Sequence, residues 1–167
     1  ANLTAQAISY YTDYIRKGGE EVKIADYFSL GQTYYIAASA FLPQDNTPLS
    51  EADSLKMMPY ALAADSLFGY VAERVPDSYM GNFWRARTNS VIDHLSTAGL
   101  AKPYYEKAIE LIDPEKNPKQ LLEAYRYMAY YYYLQEDRDN SLKYCDLILG
   151  MAPDDAMATA ISGNLRQ

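Results

Sequence analysis

The chain has 167 residues, 49% of them apolar and 22% charged, with a formal net charge of -7 at pH 7. That length fits one compact domain or a short stack of repeats and excludes two separate domains, while the apolar fraction excludes wholesale disorder. The negative charge argues against sequence-independent binding to nucleic acid or to an anionic membrane surface, both of which draw on Lys and Arg.

No apolar run approaches the roughly 20 residues that span a bilayer. The opening ANLTAQAISYY lacks a basic region followed by an apolar one. A soluble protein without membrane insertion is expected, and a removed export signal would leave no trace. Cys145 and His94 are the single Cys and the single His, so no intrachain disulfide is possible and no metal centre or cofactor is expected.

Taken in order, residues Leu3 to Lys17 place Ala7, Tyr10, Tyr11, Tyr14 and Ile15 at helical spacing, and Gly18-Gly19 stop that helix. Glu21 to Ala40 is predicted as a second helix, apolar over a broad arc. Residues 43–48 read as a loop. Ser50 with Asp53 offers a capping-box-like start to a stretch that Pro59 is expected to interrupt, with a third helix from Tyr60 to Arg74.

Asp77 is expected to cap a fourth helix reaching about Asp93, with residues 94–99 as a loop. Ala101 to Ile112 is the fifth helix, since Pro103 falls in its first turn. Asn117-Pro118 opens a sixth helix that runs to about Gln135. Ser141 to Met151 forms the seventh, and Pro153-Asp154 opens a short eighth that fades near Gly163. Nothing reads as a strand.

The last full unit counts from Leu122 as position one. It carries Tyr125 at four, Met128 at seven, Ala129 at eight, Tyr132 at eleven, Ser141 at twenty, Cys145 at twenty-four, Ile148 at twenty-seven and Pro153 at thirty-two. Small residues at eight and twenty let two helices approach, and large ones between them fill the space. The pattern resembles the tetratricopeptide repeat, a helix-turn-helix of 34 residues. The same template lies on Tyr27, Leu30, Gly31 and Tyr34, then, after a long insertion, on Ala64, Phe68, Val71 and Pro76. It lies again on Ala86, Ala101, Tyr105 and Ala108. Asn82 at position four of the middle unit, and Ser141 and Cys145 in the last, depart from it.

The resemblance implies an all-α, right-handed α-α superhelix of seven to eight helices in one domain. Its parts would be a leading half repeat (1–19), a repeat with a long insertion (22–76), repeats over 77–114 and 118–153, and a trailing cap helix (154–167). FWRARTNS, GLAKPYYEKAIELID and YRYMAYYYYLQEDRDNSLKYCDLIL look more specifically like the C-terminal parts of longer bacterial multi-repeat proteins of this family. Hence a lean to the bacterial cell envelope or periplasm, with the cytoplasm kept open.

Members of the family bind peptides or partner helices along a concave face lined by positions two, five, nine and twelve of each first helix. Carried over by position, these are Ala25, Phe28, Gln32 and Tyr35, then Met80, Phe83, Arg87 and Ser90, then Glu123, Arg126, Tyr130 and Tyr133. The candidate groove is Phe28, Gln32, Tyr35, Phe83, Arg87, Ser90, Arg126, Tyr130 and Tyr133. Aromatic rings would grip apolar side chains and the two Arg would steady a carboxylate or carbonyl. The Lys, Asn and Arg clamp that some relatives use for acidic chaperone tails is absent, because Phe28, Gln32, Glu123 and Tyr127 stand on the corresponding surface.

Of the tyrosine run, Tyr132 is expected in the core, Tyr130 and Tyr133 in the groove, and Tyr131 between. His94 reads as a solvated loop residue and Cys145 as an inert core residue, so no catalytic residue is named. The expected function is a non-catalytic scaffold that binds a protein or peptide. The alternatives are a structural or self-associating segment of a larger repeat protein, and a carbohydrate or small-ligand site or an unrecognised enzyme.

Overall fold

The computed structural model describes residues 3–45 and 47–167, so Ala1, Asn2 and Asn46, which belong to the expected leading half repeat and insertion loop, lie outside it. The described residues form eight α-helices: α1 Leu3–Lys17, α2 Ile24–Ser39, α3 Glu51–Arg74, α4 Tyr79–Ile92, α5 Lys102–Leu111, α6 Pro118–Leu134, α7 Arg138–Met151 and α8 Ala156–Leu165. No strand occurs among them, and no helix is long and apolar enough to cross a membrane. Each helix packs on its chain neighbours, and in addition α2 touches α4 and α6 touches α8. The molecule is therefore a stack rather than a bundle around one centre.

Its core is a row of clusters that hand over from one helix group to the next. Ala38, Met57, Ala61 and Val91 join α2, α3 and α4. Phe83, Ala86, Tyr105, Ala108, Ala124 and Met128 join α4, α5 and α6. Ala129, Cys145, Ile148, Ala158 and Ile161 join α6, α7 and α8.

Small residues set the closest approaches. A Cβ added to Gly31 would lie 2.8 Å from the Phe68 ring, and one on Gly81 would lie 2.6 Å from the backbone nitrogen of Ala72. In the last unit Ser141 replaces the usual small apolar residue. Its buried hydroxyl donates to the Ala129 carbonyl at 2.9 Å, so the polar atom is satisfied inside the contact.

Several element boundaries differ from the sequence reading. Pro59 does not interrupt the third helix, because α3 is continuous from Glu51 to Arg74. Pro59 is exposed, as are Leu55 and Lys56 one turn earlier, so the carbonyl that loses its partner faces water. The opposite side stays buried through Met57, Ala61, Ala64 and Phe68.

Residues Gly19–Glu21 make a separate 3-10 turn, and α2 begins only at Ile24, where the Asp26 carboxylate accepts from the Lys23 N–H. Ser78, not Asp77, caps α4. Asp137 caps α7, which begins at Arg138, three residues before the expected start, and Asp155 caps α8. In each case the side-chain oxygen accepts a backbone N–H of the first turn, which a residue one place off cannot do.

The large apolar side chains left in solvent are unevenly distributed. Leu3, Tyr10, Ile36, Leu55 and Leu62, all on α1, α2 and α3, are 54% to 80% exposed, whereas the other six exposed large apolar residues are at most 41% exposed. Helix α1 buries none of its residues fully.

Candidate protein-interaction groove

Residues of α2, α4, α5 and α6, with Leu42 just past α2, line a depression of about 470 Å³ made by Tyr35, Leu42, Arg87, Ser90, Val91, Tyr105 and Glu123. An aromatic wall, joined to it through Tyr35, stands beside this lining. The Trp84 ring stands edge-on to Phe28 at 5.8 Å and to Tyr35 at 5.3 Å, and Phe68 lies behind both Phe28 and Trp84 at 5.5 Å. These rings come from three helices, so the wall forms only after the helices have stacked.

The floor is an ion pair. Arg87 donates from Nε and Nη2 to the two carboxylate oxygens of Glu123, at 2.7 and 2.6 Å. Its guanidinium also rests over Phe83 and Trp84, each 4.8 Å from the ring centroid. The hydrogen bonds from Arg87 to Glu123 push the Arg87 pKa further up. Tyr105 donates its hydroxyl to Glu123 at 3.2 Å. Burial, reinforced by that carboxylate, raises the Tyr105 pKa so far that the phenol stays neutral.

The structure thus brings Tyr35, Arg87 and Ser90 into one depression and sets Phe28 behind them. Phe83 is corrected: at 2% exposure it is core beneath Arg87 and gives a partner no surface. Its position on the repeat template put it on the inner side, but α5 and α6 close over it through Tyr105 and Leu121. Gln32 is half-buried on α2 outside the depression.

Arg126, Tyr130 and Tyr133 form a second group, further along α6. Arg126 donates to Asp155 at the start of α8 at 2.7 Å, and Tyr130 is 40% exposed. Tyr133 packs on the cluster of Ala129, Cys145 and Ile161. Of their neighbours in the run, Tyr132 stacks on Tyr144 at 6.0 Å and Tyr131 on Tyr127 at 6.3 Å, both half-buried.

Sequence reasoning missed that both arginines are already matched by carboxylates of the same chain. It placed Glu123 on the inner face without pairing it to Arg87, because the partners are 36 residues apart. Tyr105, Leu42 and Val91 were missed as well. They come from α5, from the chain just past α2 and from the last turn of α4, outside the first-helix positions considered.

A second polar cluster sits behind the wall. Arg85 is bidentate to Asp65, at 3.1 and 3.0 Å, and also donates to the Tyr104 hydroxyl, while Asn89 donates to Asp65. It ties α3, α4 and α5 together.

His94 is not a free loop residue, since its Nε2 lies 2.9 Å from the Thr47 carbonyl and links the α4–α5 loop to the insertion. Asp93 organises the same loop by accepting backbone N–H groups from Thr97, Ala98, Gly99 and Leu100. Cys145 is buried, and burial pushes its thiol pKa up, which makes it less reactive. No group of three or more His, Cys, Asp or Glu with metal-binding geometry occurs among the described residues.

No family model matches the chain, and no curated protein matches it. A solved structure does: the C-terminal part of a TPR repeat-containing protein from Cytophaga hutchinsonii, at 28% identity and a TM-score of 0.58, over 95% of this chain and 72% of that one. The sequential helix pairs and the small-residue contacts at Gly31 and Ser141 agree with that likeness. The chain has the tetratricopeptide-repeat architecture and resembles the C-terminal part of a longer repeat protein of that kind.

Proposed function

We propose that the chain is a non-catalytic interaction scaffold that takes a peptide or partner helix across α2, α4 and α6. In this reading the helices divide as the template does: α1 as a leading half, α2/α3, α4/α5 and α6/α7 as repeats, and α8 as the trailing cap. The observation that carries it is the depression itself, whose lining joins four residues expected at inner positions, Tyr35, Arg87, Ser90 and Glu123. An aromatic wall with a fixed guanidinium suits a segment that inserts an apolar side chain and hydrogen-bonds through its backbone. The test is NMR mapping of peptides selected from a displayed library. Shifts centred on Tyr35, Arg87, Ser90 and Glu123, lost in Tyr35→Ala, support the groove. Shifts centred on the outward faces of α3 and α5 count against it.

A second reading, assembly, is favoured by a different feature. The concentration of exposed Leu3, Tyr10, Ile36, Leu55 and Leu62 on α1 to α3 is the kind of apolar surface that marks a contact. Light scattering decides: a strict monomer at high concentration removes self-association, and a dimer dissociated by Leu55→Glu with Leu62→Glu supports it.

A further inference from the structure

The charges in the groove cancel before any partner arrives. Arg87 gives Nε and Nη2 to Glu123, and Glu123 receives Tyr105 as well. The other arginine at an inner position, Arg126, is held by Asp155. A carboxylate approaching Arg87 therefore meets Glu123 beside it, and a cation approaching Glu123 meets Arg87. What remains is asymmetric. A guanidinium has five N–H donors, of which Arg87 commits two to Glu123, whereas the Glu123 oxygens already accept three hydrogen bonds. Spare donors suit carbonyl acceptors. Around them the half-buried Tyr35 and Leu42 supply apolar surface, with Val91 buried beneath.

We infer that the depression selects an uncharged, extended segment, with an apolar side chain against Tyr35 and Leu42 and a main-chain carbonyl on Arg87. Glu123 is the residue that rejects acidic tails, by acting as a built-in competitor for Arg87. This rests on the groove reading above and narrows it to a ligand class.

The experiment pans a displayed library of random dodecapeptides in parallel on the wild type and on Glu123→Gln, whose folding is checked by helical content and melting. The wild type should enrich apolar and aromatic residues without Asp or Glu. In Glu123→Gln the uncovered Arg87 should improve binding of carboxylate-bearing peptides by about tenfold. Acidic enrichment on the wild type, or the same selection on both proteins, overturns the inference and leaves the groove standing. Should the variant not fold, the wild-type selection alone decides by the same criterion. Selected peptides whose binding survives both Tyr35→Ala and Arg87→Ala sink the groove reading itself, and no enrichment on either protein removes both.

Discussion

Gly31 and Phe68 make a contact whose energetics can be worked out from distances. The Phe68 ring is fully buried and packs against Phe28 and Trp84, the aromatic wall beside the depression. Phe68→Ala should cost about 3–5 kcal/mol through lost burial and the cavity left. Gly31→Ala places a methyl 2.8, 3.0 and 3.1 Å from three ring carbons of Phe68. With no room for the ring to retreat, that overpacking costs about 1–3 kcal/mol, offset by about 1 kcal/mol of helix propensity. Alone, then, Gly31→Ala is neutral to about 2 kcal/mol destabilising.

In the Phe68→Ala background the obstacle is gone. The same substitution should then stabilise by about 1–2 kcal/mol, from propensity plus one newly buried methyl. The two sites are therefore coupled by roughly 1–4 kcal/mol, read from urea unfolding of the four proteins with a common m value. Trp84, the only tryptophan, reports on the same wall by fluorescence. Equal effects of Gly31→Ala in both backgrounds, within about 0.5 kcal/mol, would refute the argument.

Other tests probe the loop and the C-terminal end. Gly99 combines φ +70 with a Tyr131 ring carbon 2.4 Å from where a Cβ would stand. Gly99→Ala should therefore cost about 2–4 kcal/mol, and adding Tyr131→Ala should recover only the steric part, as measured by thermal melting. Asp93→Ala removes the acceptor of four backbone N–H groups. Amide exchange at Thr97 to Leu100 should quicken, with a loss of about 1–3 kcal/mol; unchanged protection would contradict the assigned role.

At Asp155 burial by itself raises the carboxyl pKa, but hydrogen bonds from the Ala158 N–H and from Arg126 bring it below the usual range. A depressed folded pKa means that the stabilisation is complete above the unfolded value, about 3.9, and is lost as pH falls through the folded one. Arg126→Gln should shift acid unfolding to higher pH, and coincident acid titrations of the two proteins would show that the pair contributes nothing.

Much of the fold was legible because helix formation and repeat packing are encoded locally. Apolar spacing placed every helix, and the small residues Gly31, Ala86, Ala129 and Ser141 marked the close approaches. Errors fell where local signals compete. Asp77 and Ser78 are both good caps, and it is Ser78, in extended backbone, whose hydroxyl accepts the Met80 N–H. Pro59 reads as a breaker, yet its position on the wet side of α3 makes it tolerable. Of the residues carried over by position, Tyr35, Arg87, Ser90 and Glu123 meet in one depression, and their pairings were not legible in the sequence.

The sequence by itself determined an all-helical stack of the tetratricopeptide-repeat kind, since period, capping and side-chain size act within a turn or two. Only the tertiary structure decided that Phe83 is core rather than surface, that Tyr105 and Leu42 line the depression, and that Arg87 and Arg126 are already neutralised by Glu123 and Asp155. The reason is physical. Burial and ion pairing depend on which helices meet across tens of residues, and a charge is free or occupied only with respect to what the finished fold sets beside it.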